Sequence, residues 1–265
     1  MELSRLVDDL VAEQVALDAV VAELPAESWS TATPSPRWSV ADQIGHLTYF
    51  DGTAAMAISE PEAFAAHREG AFRRYADPAD GDELTLGEFR RLAAAQQLSA
   101  WRDARDRLEA AARTLADGQR VEWYGPAMSA KSFVTARLME VWAHGQDVVD
   151  AVGAERADTD RLAHVAQLGV ITRGWSYLVR GEQPPSDPVR VELTAPSGAV
   201  WSWGPGDAAA SVVGPAGDFC RVVTQRRHVA DTALVVTGEV AHDWMAKAQA
   251  FAGTPTSGPP PLRPG

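Results

Sequence analysis

The sequence has 265 residues, enough for two ordinary domains, and 46% hydrophobic with 23% charged side chains, which is typical of a globular protein. A formal net charge of −12 repels phosphate backbones and anionic lipid, so neither nucleic acid nor a membrane is expected as a partner. Since Cys220 is the single cysteine, an intrachain disulfide framework and zinc sites with two cysteines of one chain are excluded.

The first 180 residues carry the 3.6-residue period of amphipathic helices. A first helix is predicted from Leu3 to just before Pro25, and a second, capped by Ser39, to about Ile58. Further helices are predicted over residues 62–75, 85–118, 129–153 and 158–181. The intervening residues 77–83 are rich in Asp, Pro and Gly and are predicted to form a loop, with Thr85 capping the next helix.

After residue 181 the period changes from 3.6 to two, as in a half-buried strand over residues 189–193. Further strands are predicted over 200–203, 209–213 and 232–237, and helices over 216–225 and 239–251. We therefore predict a helical domain over residues 1–181 and a smaller α+β domain over residues 187–252. The end of the chain, residues 253–265, is dominated by proline and glycine and is predicted to be a disordered tail.

The helix predicted over residues 129–153 gathers polar groups on one face. Glu140, His144 and Asp147 lie at i, i+4 and i+7, so they share a face over two turns. A carboxylate and an imidazole one turn apart suit a zinc-sized ion, and open sites use three protein ligands. His46 is the best candidate for the third, beside Gly45, which allows another segment to approach closely. The alternative is a set of ordinary helix neighbours without a metal.

Two separated motifs are distinctive enough to compare with known families. They read Trp38-Ser39-Val40-x-Asp42-x-Ile44-x-His46-Leu47 and Arg137-x-x-Glu140-x-Trp142-x-His144-x-x-Asp147. Together they resemble the actinobacterial mycothiol-dependent maleylpyruvate isomerase family, and within it a branch described only as metal-binding proteins. The resemblance covers residues 1–252. It implies an α+β two-domain fold, with an N-terminal DinB-like four-helix bundle and a smaller C-terminal sterol-carrier-protein-like α+β domain.

The resemblance also implies the ligands of a metal. The family binds zinc through a His on the second helix and a Glu-x-x-x-His pair on a later helix, which match His46, Glu140 and His144. We therefore expect Zn²⁺ or another divalent transition metal at these residues. Asp147 is a candidate for orienting a ligand histidine, or else a solvated or helix-bonding carboxylate. Arg137 is expected to form a structural salt bridge rather than to bind a substrate carboxylate.

An arginine of the second domain serves the active site in the family. Residues 214–227 resemble the start of a helix in that domain, and of Arg221, Arg226 and Arg227 we favour Arg226 as the catalytic arginine. Where members of the family read Gly-Arg, this chain reads Gln225 followed by Arg226 and Arg227. That departure concerns the substrate contact and hence the reaction.

The resemblance implies a metal-dependent isomerase or thiol S-transferase, with mycothiol as co-substrate and a small electrophilic or acidic substrate. The single cysteine, with no predicted signal peptide or membrane span, favours the cytoplasm. Trp142 is expected near the site and Cys220 as a buried structural thiol. One alternative is a binder of an apolar ligand, in which Asp147 or His67 completes a structural metal site. Another is a hydrolase or cyclase that uses metal-bound water. The oligomeric state stays open.

Overall fold

The computed structural model of the protein describes residues 2–74 and 78–262. The chain divides into two compact units, Met1–Arg156 and Ala157–Gly265. The described part of the first unit contains the helices α1 (Leu3–Val21), α2 (Val40–Ser59), α3 (Pro61–Arg74), α4 (Pro78–Leu86), α5 (Ala94–Ala112) and α6 (Ala130–Val152). It also contains the short antiparallel pair β1 (Arg120–Val121) and β2 (Met128–Ser129), which the sequence analysis did not predict.

The long helices α1, α2, α5 and α6 pack against one another through their apolar faces. Helix α2 contacts both α5 and α6, and α1 contacts the same two helices. The fully buried side chains of this core include Leu10, Leu17, Ile44, Leu47, Trp101, Leu108 and Phe133. Burial of one such side chain stabilises the fold by roughly 1.5–3 kcal/mol. The identification of this unit as a DinB-like four-helix bundle stays a prediction.

Two predicted helix starts, at Ser39 and near Ser129, are confirmed, and Ser39 caps its helix as predicted. The Ser39 side chain accepts from the Asp42 backbone N–H, and the Asp42 carboxylate accepts from the Ser39 N–H at 2.9 Å. This reciprocal capping satisfies two donors that a helix start leaves unpaired. Ser129 caps α6 in the same position, and Gly153 ends that helix with a φ of 64°. These caps define the register of the two helices that carry the predicted metal ligands.

The predicted loop over residues 77–83 is wrong where the structure describes the chain, because residues 78–86 form α4. Thr85, predicted to cap the next helix, lies inside α4 and donates its hydroxyl to the Gly81 carbonyl. Residue 77 lies outside the described residues. Helix α5 consequently starts at Ala94, after a 3₁₀ turn over Phe89–Arg91.

The second unit combines helices with a sheet. Its helices are α7 (Leu162–Ile171), α8 (Arg173–Leu178), α9 (Ala216–Val223) and α10 (Glu239–Lys247), and its strands are β3 (Val189–Thr194), β4 (Val200–Trp203), β5 (Ala210–Pro215) and β6 (Val235–Thr237). The strand order is β4-β3-β5-β6, with β3 and β5 parallel and the other neighbours antiparallel. Val191, Leu193 and Val212 point to the buried face, which confirms the alternation predicted for β3.

The division after Arg156 lies earlier than the predicted boundary between residues 181 and 187. The reason is that α7, helical like the first unit, packs on α9 of the second. A Cβ atom at Gly169 would lie 2.7 Å from Val223, so only glycine permits this close approach. Cys220 is fully buried, and its thiol lies 3.6 Å from the Leu162 carbonyl. By this division α7 and α8 lie with the second unit, whereas helical periodicity groups them with the first.

The described part of the proline- and glycine-rich end, residues 253–262, contains no helix or strand. Its predicted disorder stays a prediction, and residues 263–265 lie outside the described residues. Among the helices that the structure describes, none combines the length and the apolar character needed to cross a bilayer.

Candidate metal centre

The three predicted ligands meet between α2 and α6. His46 Nε2 lies 3.6 Å from Glu140 Oε2, and His144 Nε2 lies 3.0 Å from the same oxygen. One ligand atom from each of the three residues lies within 4.8 Å of the other two. His46 and Glu140 are separated by more than 90 positions in the sequence, so the packing of α2 on α6 assembles the cluster.

The local sequence explains how these helices present the three side chains. Glu140 and His144 are one turn apart on α6 and therefore project from the same face. Gly45 lets the turn after α4 approach α2, since a Cβ atom there would lie 3.1 Å from the Phe89 Cβ. This agrees with the close approach predicted for Gly45. The ligand side chains thus come from regular helix positions rather than from loops.

Aromatic rings surround the two histidines. The Trp38 ring lies 5.0 Å from the His46 ring and 5.8 Å from the His144 ring, nearly parallel to the latter at 21°. Phe50 lies 4.5 Å from His46. The side chains of His46 and Glu140 are 17% and 26% exposed, so the cluster retains an edge that an ion can reach. The rings fix the imidazoles while this edge remains accessible.

The electrostatics of the cluster favour the protonation states that a ligand needs. Burial, followed by the neighbouring His144, lowers the pKa of His46 to about 3, although Glu140 acts to raise it. Burial acts to raise the pKa of Glu140, but hydrogen bonds with His144 and His46 outweigh it and hold the pKa well below its usual range. At neutral pH, His46 is therefore neutral and Glu140 is ionised.

The sequence analysis missed Gln43. This fully buried amide accepts at Oε1 from His144 Nδ1 at 2.5 Å, whereas the Asp147 carboxylate accepts from the Ser35 hydroxyl at 3.0 Å. The residue that contacts Nδ1 of the ligand His144 is thus Gln43, whereas Asp147 was the candidate for orienting a ligand histidine. A signal was present, since Gln43 lies three residues before His46 and shares its helix face.

Arg137 forms the structural ion pair that was predicted for it. Its Nε lies 3.8 Å from Asp51 Oδ1, and both side chains are buried. Asp51 Oδ2 also accepts from Gln14 and from the indole of Trp101. Burial raises the pKa of Asp51 to about 6, although the Arg137 charge opposes this. The guanidinium lies over the Phe50 ring at 5.8 Å, so this pair adjoins the metal cluster.

Two other residues named with the site, His67 and Trp142, have contacts of their own. His67 Nε2 is within hydrogen-bond distance of the Tyr49 and Tyr124 hydroxyls, at 3.0 and 3.1 Å. The Trp142 ring lies against the Arg156 guanidinium at 5.9 Å, and the Trp38 ring lies beside the histidines. Within the described residues, the group able to hold a metal consists of His46, Glu140 and His144, without His67.

The three candidate arginines belong to the second unit. Arg221 forms a bidentate pair with Asp158 at 3.0 and 3.1 Å. Arg226 Nη1 donates to the Thr224 carbonyl at 2.7 Å, and Arg227 Nη1 donates to the Arg226 carbonyl at 3.1 Å. Arg226 as the catalytic arginine stays a prediction.

Two family models match the sequence. The model described as the mycothiol maleylpyruvate isomerase N-terminal domain matches residues 10–149, which include all three candidate ligands. A model described as wyosine base formation matches residues 185–237, in the second unit. The sterol-carrier likeness of that unit stays a prediction.

Similar proteins and structures cover nearly the whole chain. Uncharacterized proteins of two Mycobacterium tuberculosis strains are each 46% identical over 252 residues, covering 95% of this chain and 97% of theirs. Crystal structures of the mycothiol-dependent maleylpyruvate isomerase and of a histidine-to-alanine mutant each match with a TM-score of 0.60, at 16% and 15% identity. Each match covers 97% of both chains, so the two-unit fold is shared.

Proposed function

Because the chain belongs to the mycothiol maleylpyruvate isomerase N-terminal domain family, we propose that it is a divalent-metal-dependent enzyme of the isomerase or thiol S-transferase type. The proposed substrate is a small electrophilic or acidic molecule. Mycothiol is the proposed thiol co-substrate, as in the name of the structurally similar isomerase. The proposed metal is zinc or another divalent transition ion.

The observation that carries this proposal is the convergence of His46, Glu140 and His144. Metal–ligand bonds of about 2.0–2.1 Å place tetrahedral ligand atoms about 3.3 Å apart. The recorded separations of 3.6 and 3.0 Å lie on either side of that value. Two imidazoles and one carboxylate are also a donor set that zinc uses in open sites. The residues present therefore fit a single divalent ion.

A divalent ion bound here, with an open coordination position, would lower the pKa of a thiol or a water molecule at that position. The residues of the chain prepare this chemistry. Neutral His46 offers a lone pair, and ionised Glu140 balances part of the charge of the ion. The rings of Trp38 and Phe50 cover the imidazoles and limit the access of water. Three ligands from two packed helices leave room for a substrate group.

The first test is the metal content of the purified protein by plasma mass spectrometry, beside a His46→Ala, His144→Ala double mutant. Near-stoichiometric metal in the wild type and little in the mutant is expected, because the mutant keeps one of three ligands. Equal and negligible metal in both, even after reconstitution, would refute the metal site.

The second test measures turnover of maleylpyruvate and of a panel of small electrophiles by the metal-loaded protein, with and without mycothiol. Turnover that requires mycothiol is the expected result. Turnover without thiol would contradict the thiol part and favour the metal-dependent hydrolase or cyclase. No turnover, together with binding of apolar ligands, would instead favour the binding protein.

Arg226 is the proposed substrate contact in the second unit. Replacing Arg226 by Ala is expected to lower kcat/KM on the order of 100-fold, as for loss of a charge-assisted hydrogen bond. Arg227→Ala is the matched control, since it removes the same charge from the next residue. Equal effects of the two substitutions would contradict the assignment to Arg226.

A further inference from the structure

His144 ends a chain of hydrogen bonds that runs away from the metal cluster. Its Nδ1 lies 2.5 Å from Gln43 Oε1, and Gln43 Nε2 donates to Thr33 Oγ1 at 2.9 Å. The Thr33 hydroxyl in turn donates to the Trp38 carbonyl at 2.8 Å. Gln43 is fully buried and His144 is 8% exposed, so water competes little for these groups. Each link joins residues of the first unit.

The chemistry of the far end determines the direction of every link. A backbone carbonyl only accepts, and a hydroxyl carries one proton, so the Thr33 proton is committed to Trp38. Thr33 Oγ1 must then accept from the NH₂ group of Gln43. The amide oxygen of Gln43 therefore faces His144. An acceptor in that position requires a proton on Nδ1 of the imidazole.

With Nδ1 donating to Gln43, Nε2 is the ring nitrogen of His144 left for a metal, which would replace the proton that Nε2 donates to the ionised Glu140 in the metal-free protein. This is the nitrogen that lies 3.0 Å from Glu140 Oε2 within the cluster. A second contact holds the ring plane, since the Trp38 indole stacks on His144 at 5.8 Å. Trp38 thus contributes its carbonyl to one end of the chain and its ring to the other.

The segment before α2 holds this arrangement in place. Ala32 and Ser39 form an isolated antiparallel bridge, and the Thr33 N–H donates to the Trp38 carbonyl at 2.8 Å. Ser39 then caps α2, so the turn is continuous with the helix that carries Gln43. The geometry of a ligand on α6 is therefore determined by a turn more than 100 residues earlier in the sequence.

We propose that Gln43 and Thr33 are positioning residues that select the protonated-Nδ1 form of His144 and aim its Nε2 at the metal. The part of this inference that concerns metal affinity rests on the proposed function. Partners of this kind, next to a ligand histidine, typically contribute about 10–100-fold in metal affinity because they fix the ring and raise its basicity. A neutral amide performs this role here, where a carboxylate or backbone carbonyl is the more usual partner.

Metal affinity tests the acceptor role of Gln43. Zinc binding is measured by chelator competition for the wild type, Gln43→Leu, Gln43→Glu and the control Gln97→Leu. Gln97 is equally buried in the same unit, but its amide donates to the Phe89 carbonyl. Gln43→Leu is expected to weaken zinc binding about 10–100-fold. Gln43→Glu, which restores an acceptor, is expected to bind at least as tightly as the wild type.

Three results would overturn the inference. Wild-type affinity in Gln43→Leu would show that the hydrogen bond is dispensable, and an equal loss in Gln97→Leu would show a packing effect. A loss in Gln43→Glu equal to that in Gln43→Leu would show that the acceptor is not the cause. Thermal unfolding of each metal-free variant verifies that the comparison involves folded proteins.

The protonated nitrogen tests the inference without metal. In protein with ¹⁵N-labelled histidine and no metal, we expect NMR to detect a proton on Nδ1 of His144. The signal should shift or vanish in Gln43→Leu. It should shift in Thr33→Val, because the Gln43 side-chain amide then loses the acceptor of its NH₂ group and can turn that group towards His144. An unprotonated Nδ1 in the wild type would refute the inference. This readout holds even if the wild type takes up no metal, an outcome that would refute only the proposed function.

Discussion

The metal cluster of the first unit and the arginine cluster near α9 of the second unit differ in how their polar groups are held. His46, Glu140 and His144 meet across two helices and many sequence positions, and their contacts converge on one point. Arg226 and Arg227 instead donate to carbonyls one or two residues away. The first set of contacts exists only in the folded chain, whereas these two hydrogen bonds join residues that are close together in the sequence.

The two groups of residues therefore differ in how closely they specify a chemistry. Convergent ligands define a chemistry, because the donor set and its spacing select a class of ion. Neighbouring arginines all carry the same charge and select no such class, so the substrate decides which of them acts. The comparison predicts that metal affinity depends on residues of α2 and α6 and is unaffected by substitution of the three arginines.

The largest effect is expected at Glu140. Glu140→Gln removes the charged ligand, and zinc affinity should fall by more than about 100-fold, exceeding the loss from a residue that only supports a ligand. Chelator competition provides the measurement. Asp147→Asn is the matched control on the same helix, and its carboxylate accepts from Ser35. Similar losses of zinc affinity in both variants would show that Glu140 contributes no more than a neighbouring carboxylate outside the cluster.

The buried pair beside the cluster should also depend on both of its members. Arg137→Met leaves Asp51 without its ion-pair partner in the core, so the free energy of unfolding should fall by about 3–5 kcal/mol. The double variant Asp51→Leu, Arg137→Met should regain most of this loss, since apolar replacements of buried pairs are often neutral. Urea unfolding at pH 7 measures both. A double variant as unstable as the single one would contradict this account.

Asp51 should give the first unit a characteristic dependence on pH. Its pKa is raised to about 6 by burial, from a usual value near 3.8, so the folded state binds its proton more tightly. The free energy of unfolding should therefore fall by roughly 2–3 kcal/mol as pH rises from about 4 to 6. The metal-free wild type is compared with Asp51→Asn over this range. The same slope in both would show that another group is responsible.

The smallest effect is expected at Gln225, the residue that precedes Arg226 and Arg227. Gln225 follows α9 with a φ of 60°, a conformation that favours glycine by about 1–2 kcal/mol. Its side chain also donates to the Ala248 carbonyl. Gln225→Ala loses that bond and keeps the strain, so Gln225→Gly should be the more stable by about 1 kcal/mol. Thermal unfolding measures the difference, and equal stability would contradict the assigned strain.

Much of the fold was predictable from short-range patterns. Ser39 with Asp42 marked the start of α2, and Ser129 and Gly153 marked the two ends of α6. The two-residue alternation located β3. The loop predicted over residues 77–83 was wrong because composition suggested a turn, while Pro78 and the buried Leu86 belong to α4. Capping residues and hydrophobic periodicity reflect contacts between residues a few positions apart. They did not predict α4, because that helix depends on packing against other parts of the fold.

For the site, the sequence by itself determined that Glu140 and His144 share a helix face, and it made His46 the best candidate for the third ligand. Only the tertiary structure decided that Gln43 rather than Asp147 accepts from His144, and that α7 belongs with the second unit. The physical reason is the range of the contacts involved. The spacing of residues along one helix follows from its 3.6-residue period, whereas a hydrogen bond between residues 101 positions apart exists only once α2 has packed on α6.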